Sequence, residues 1–291
     1  MRWLSDPFTT PFMQRALLAV VLLAIAGGLL GAWIVLRRLA FFVHAAGSAT
    51  FPGLVVAGPW GIAPAVAALG AGLLFAGLLS RLTRGTNTSS DAATGLLLAA
   101  ALALGSVLAS DVYPSGTGVD RLLFGTLLGL SDRDLWLAGA VAAAALLATA
   151  SLGRTWLATG FDPAAAPALG IRSARGDWLL LALLAVTVVA ALPAIGALLV
   201  STLLVIPAAT ARLLTHSLAG LLAASVGLGL AEGVGGLLLA YHADLPPGPA
   251  IAVIGGSAFA LVGCLGARVR NVVRRSALAM TAGRNPVQRL R

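Results

Sequence analysis

The sequence predicts an all-α fold, a polytopic transmembrane helix bundle of about 8–9 spans that includes short re-entrant or broken segments. Three observations carry this prediction. Hydrophobic residues make up 59% of the 291 and charged residues only 10%, with a mean hydropathy of +0.98. An average soluble chain holds about 25% charged residues, so a water-soluble version of this chain would leave too much apolar surface against water. Finally, the few charges are gathered between long apolar runs, many of them close to the ~20 residues that a helix needs to cross a bilayer.

Taken in order, residues 1–15 form a polar and aromatic N-terminal segment. The run from Ala16 to Leu36 is long enough to span and too long for a cleavable signal core, so it is expected to remain in the mature protein. Further runs lie near 40–58, 62–80, 92–110, 135–152, 178–193, 196–211, 218–241 and 249–267, which makes 16–267 a transmembrane domain and 268–291 an arginine-rich tail, solvated or lipid-facing. Pro52, Pro193 and Pro207 interrupt or bound apolar stretches, so some spans are expected to be broken rather than plain rods. The stretch from Asp120 to Leu130 is too short to cross and reads as a partial insertion on the outer side. Ser131 with Asp134 three residues on is a helix-start signature for the next span. Gly27 with Gly31, and Gly229 with Gly233, fall on one helical face and allow close backbone approach in lipid.

The net charge is +9 and every basic residue is arginine. In a soluble protein this would suggest nucleic acid. In a membrane protein it reports topology, because cytoplasmic loops collect arginine. Placing the segment after the first span inside puts Arg37, Arg38, Arg81, Arg84, Arg154, Arg172, Arg175, Arg212 and all tail arginines in the cytoplasm. Only Arg2, Arg15, Arg121 and Arg133 fall outside, with the N-terminus out and the C-terminus in. The complete lack of lysine excludes a Walker A loop, so the chain is not its own P-loop ATPase. A single cysteine, Cys264, excludes a disulfide framework or a cysteine metal cluster. Neither H-E-x-x-H nor G-x-S-x-G occurs, and the chain does not read as an enzyme.

Five stretches carry a resemblance to a known family. They are Gly31 to Phe42 (Gly-Ala-Trp-Ile-Val-Leu-Arg-Arg-Leu-Ala-Phe-Phe), Leu123 to Leu128, Phe161 to Ile171, Ile195 to Ala211, and Asp244 to Pro249. In this order and spacing the chain resembles, from about Leu17 to Leu265, the zinc and manganese permeases of bacterial ABC importers, the ABC-3 family. The resemblance implies the multi-pass membrane subunit of an ATP-driven importer in the bacterial cell membrane, working as a homodimer. It also implies a separate cytoplasmic ABC ATPase and an extracellular metal-binding protein as partners, with no tightly bound cofactor. Loop 161–177 is the longest polar interruption between spans, and Ala164 to Leu169 has the makings of a short helix. The resemblance makes it the coupling helix that docks on the ATPase, with Phe161, Asp162, Ala166 and Gly170 as its marking residues.

A metal pathway needs polar or ionisable side chains within the spans, where they are costly and usually functional. His44 lies in the second run, Glu232 deep in the eighth, and His242 with Asp244 at the outer end of that run. Related permeases carry Asp-x-x-x-His in the second span; here His44 stands at the Asp position and Ser48 at the His position. Imidazole suits zinc better than manganese, so the cargo reads as zinc, with manganese or iron as the alternative within the family. An ion-coupled secondary transporter, with His44 or Glu232 relaying protons, is the competing class.

Overall fold

The structure, a computed structural model, describes residues 10–85, 89–111, 130–161, 173–196 and 199–282. Within them the regular structure is helical: α1 Pro11–Leu36, α2 Ala40–Ser48, α3 Phe51–Ala57, α4 Pro64–Gly85 and α5 Ser90–Asp111 in the first half. The second half holds α6 Asp132–Phe161, α7 Ser173–Ile195, α8 Val200–Leu214, α9 Leu218–Ala243 and α10 Pro247–Ala282. Taking α2 and α3 as one broken span, 8 helices are long and apolar enough to cross a membrane, and α8 is a shorter apolar helix. The expected partial insertion at 120–130 lies outside the described residues except for Leu130, which is buried.

Local sequence explains where these helices begin and end. Pro11 stands in the first turn of α1, where its missing N–H is not needed. The helix closes through Arg38, whose φ of 57° is left-handed, and Leu39 N–H bonds back to the Ile34 carbonyl at 2.8 Å. Pro52 breaks the second span as expected, since it offers the Ser48 carbonyl no N–H and crowds it. The Thr50 hydroxyl donates to the Gly47 carbonyl at 2.7 Å across that break. Ser131 caps α6 as its sequence signature predicts, with its N–H and hydroxyl both donating to Asp134 Oδ2 at 2.8 and 2.7 Å.

Pro193 and Pro207 behave differently from Pro52, for each lies inside a continuous helix. Pro207 deprives the Leu203 carbonyl of its helical partner, and that oxygen lies over Gly27 of α1, 3.3 Å from where a Cβ would stand. Glycine lets the two helices close on the freed group, which in lipid needs protein cover.

At the centre of the bundle is α1, 72% of whose apolar window is buried, against 17% for α5. Apolar side chains gain little by leaving lipid for protein, so close packing and hydrogen bonds hold such a bundle together. Gly28 shows how close: a Cβ there would fall 2.5 Å from Val226 Cα of the antiparallel α9. Along its other flank α1 runs parallel to α6, joined near the N-terminal ends by Arg15–Asp132 at 3.0 Å and further along by Trp33 Nε1–H donating to Thr149 Oγ1 at 3.3 Å. Trp33 and Trp156 meet edge to face at 5.4 Å between ring centres, both fully buried. A second group packs around α4, where Phe42 of α2 stacks on Phe75 at 5.8 Å and Gly72 faces Ala185 and Val189 of α7.

Among the described residues, with α2 and α3 taken as one broken span, α8 is the apolar helix too short to count as a crossing. Fifteen residues rise about 22 Å, against about 30 Å of hydrocarbon. Arg212 in its last turn shares a cavity with Arg37 and Arg38, so the helix ends on the arginine-rich side.

Candidate functional site

His44 sits one turn into α2 with its side chain exposed, and its Nδ1 lies 3.4 Å from Ser201 Oγ in the first turn of α8. Ser48, one turn along the same face, is half-buried, and its hydroxyl reaches the His44 carbonyl at 3.4 Å. Both contacts are long and leave the imidazole and the hydroxyls with spare capacity. This polar strip lies beside two discontinuities, the α2–α3 break and the start of the short α8. The C-terminal end of α2, with the Ser48 carbonyl denied an N–H by Pro52, is the negative end of a helix and suits a cation. Uncovered imidazole in a membrane span is costly against lipid, so the exposed flank of α2 calls for water or another protein surface.

The other predicted ligands stand elsewhere. Glu232 is 3% exposed inside α9, its Oε2 against Gly255 of α10, where a Cβ would come within 2.7 Å, and Ile206 of α8 flanks the same glycine. Its Oε1 has no hydrogen-bond partner among the described residues, nor has Ser225 Oγ, two turns earlier on the same helix. His242 at the far end of α9 donates from Nδ1 to the Leu238 carbonyl at 2.8 Å and stands edge-on to Tyr241. Asp244 is the left-handed residue that closes α9, with φ 50° and its N–H on the Ala240 carbonyl. His44, Glu232 and the His242–Asp244 pair are not brought together: among the described residues no group of three or more His, Cys, Asp or Glu side chains could hold a metal. Ser201 is the addition that sequence reasoning missed, since a serine in an apolar helix carries no signal of its own.

At the predicted coupling loop, Phe161 is 76% exposed at the end of α6, while Asp162, Ala166 and Gly170 lie outside the described residues. What the sequence did not disclose is how the two ends of this loop are tied down. Arg37 donates to Asp177 Oδ1 of α7 at 2.6 Å and to Thr159 Oγ1 of α6 at 2.8 Å. Trp156 Nε1–H donates to the Gly176 carbonyl at 2.9 Å. The end of α6, the start of α7 and the end of α1 thus form one clamp at the two ends of this segment.

Comparison with known proteins places this geometry. A family model described as the ABC 3 transport family matches residues 9–265. The manganese transport system membrane protein MntC of Halalkalibacterium halodurans is 34% identical over 252 residues, covering 86% of each chain. The manganese import system permease protein ScaB of Streptococcus parasanguinis is 32% identical over 251 residues, 86% of this chain and 89% of that one. Among solved structures, PsaBC from Streptococcus pneumoniae in complex with Fab superposes with a TM-score of 0.78 at 29% identity, covering 90% of this chain and 94% of that chain.

Proposed function

This chain belongs to the ABC-3 transport family as a multi-pass, non-catalytic transport permease, and from that premise we propose that it passes a divalent metal ion, manganese foremost, along the flank marked by His44, Ser48 and Ser201. The observation that carries this reading is His44 itself: an exposed imidazole beside a short helix, in an apolar span where such a group is costly unless it faces an ion path. A second copy of the chain would cover that flank and add its own His44, completing a set that one copy leaves short. Binding that is incomplete in each copy suits a site that must release its ion.

Manganese takes the place of zinc as the preferred cargo. The zinc reading rested on the imidazole of His44 taken alone. Its neighbours are hydroxyl oxygens, from Ser48 on the same helix and Ser201 across the seam, and oxygen donors suit manganese. The names of the relatives point the same way. Family membership also removes the ground for an ion-coupled secondary transporter. Energy then comes from a separate cytoplasmic ATPase that engages loop 161–177, and the ion arrives from an extracellular binding protein.

The test is uptake of labelled manganese, zinc and iron(II) per assembled transporter. The parent favours manganese; His44→Ala abolishes uptake at unchanged assembly, and His44→Asp retains it. Parental uptake by His44→Ala removes this flank from the path, and a parent that carries zinc over manganese overturns the choice of cargo.

A further inference from the structure

On the arginine-rich side a cavity of about 310 Å³ opens between the ends of α1, α6 and α8. Its floor is aromatic and rigid: Trp33 and Trp156 are 1% and 0% exposed, and both indole N–H groups are engaged, on Thr149 and on the Gly176 carbonyl. Its mouth carries Arg37, Arg38 and Arg212, and no acidic side chain lines it. Arg37 is committed to Asp177, Thr159 and the Trp156 carbonyl. Arg38 and Arg212 make no hydrogen bond or ion pair with a described residue, which leaves two guanidinium groups over an apolar floor.

Helix ends alone do not account for this pair. Cations are favoured near helix C-termini, and three helices end here. A side chain serving that purpose bonds a carbonyl near the helix end, as Arg37 does with Trp156 at 3.4 Å, whereas no such bond is made by Arg38 or Arg212 among the described residues. Arg38 moreover occupies a left-handed position, φ 57°, that glycine or asparagine would fill with less strain.

We propose that this cavity is a binding site for an anionic phospholipid. Its phosphodiester is held by the guanidiniums of Arg38 and Arg212, and its glycerol and first methylenes lie on the half-buried Leu36 and Leu157. The volume is at the lower end of the 300–1,000 Å³ typical of small-molecule sites. Planar guanidinium matches two phosphate oxygens at once, and the cavity lies where helices leave the hydrocarbon, at headgroup depth. The site adjoins the clamp of Arg37, Thr159 and Asp177, so a bound lipid would brace the ends of α1 and α6 beside it.

The experiment uses the full-length permease in phosphatidylcholine nanodiscs, titrated with phosphatidylglycerol, with lipid retention read by native mass spectrometry. The parent retains one phosphatidylglycerol per chain in preference to phosphatidylcholine. At about 1 kcal/mol per arginine, Arg38→Gly and Arg212→Gln each weaken retention about fivefold, and together about thirtyfold. Arg38→Gly also relieves the left-handed strain, so its melting temperature does not fall and its loss of lipid cannot be ascribed to unfolding. Equal retention by the parent and the Arg38→Gly variant overturns the proposal. So does displacement of the lipid by millimolar inorganic phosphate with no preference for phosphatidylglycerol, which would make this a free-anion site.

Discussion

Asparagine in place of Asp177 keeps the size of the side chain and removes the charge that Arg37 meets at 2.6 Å. The pair is neither on the open surface nor deep inside, with side chains 16% and 32% exposed. A charged hydrogen bond in such a setting contributes about 1.5–3 kcal/mol, above the ~0–1 kcal/mol of fully exposed pairs and below the ~3–5 kcal/mol lost when a buried pair is broken. Taking about 2 kcal/mol, the clamped arrangement loses about thirtyfold in population relative to one in which α7 is free of α1. If displacement of loop 161–177 reaches the transmembrane helices through this clamp, the loss appears in coupling. The assay is the permease reconstituted with its ATPase partner, scored as ions moved per ATP hydrolysed. Asp177→Asn is expected to lower that ratio about tenfold or more, with basal hydrolysis within about twofold of the parent. Arg37→Met should do the same, and the double variant should be little worse than either single one, because the two groups act as a pair. Strictly additive losses, or an unchanged ratio in a variant that simply melts earlier, would refute the reasoning and leave the pair a structural tie.

Two further expectations concern the frame. Gly28→Val should cost about 3 kcal/mol or more and reduce the yield of assembled permease, because the added Cβ meets Val226 and Ser225 backbone at 2.5–2.9 Å; Gly227→Ala, with nothing within 4 Å of its Cβ, should melt at or above the parent temperature. Asp244→Gly should stabilise by about 1 kcal/mol in thermal unfolding, since φ 50° costs other residues strain, and Asp244→Val should destabilise; a drop with glycine would mean that the carboxylate does more than close α9.

The spans were legible because lipid demands long apolar runs, and the break at Pro52 because proline cannot serve the carbonyl four residues before it. Pro207 lies in the same kind of run and breaks nothing, since Gly27 of another helix covers the freed oxygen; no local pattern distinguishes the two cases. The run at 196–211 is one of the short ones, and hydropathy alone does not separate a full crossing from the 15-residue helix that forms there. His44 and Glu232 stood out by rarity, yet their neighbours Ser201 and Gly255 belong to helices far along the chain. Arg37 and Asp177 are 140 positions apart, and a single sequence holds nothing that pairs one arginine of nineteen with that carboxylate.

The central position of α1 has a bearing on how the protein is made. Two of its main packing partners, α8 and α9, are translated long after it, Val226 roughly 200 residues behind Gly28, which at 5–20 residues per second is on the order of 10–40 s. Through that interval the glycine face of α1 meets lipid or a chaperone instead of protein. Assembly is then timed by the arrival of the last helices from the ribosome, and a chain that stops before α8 inserts its first spans but leaves their centre open to degradation.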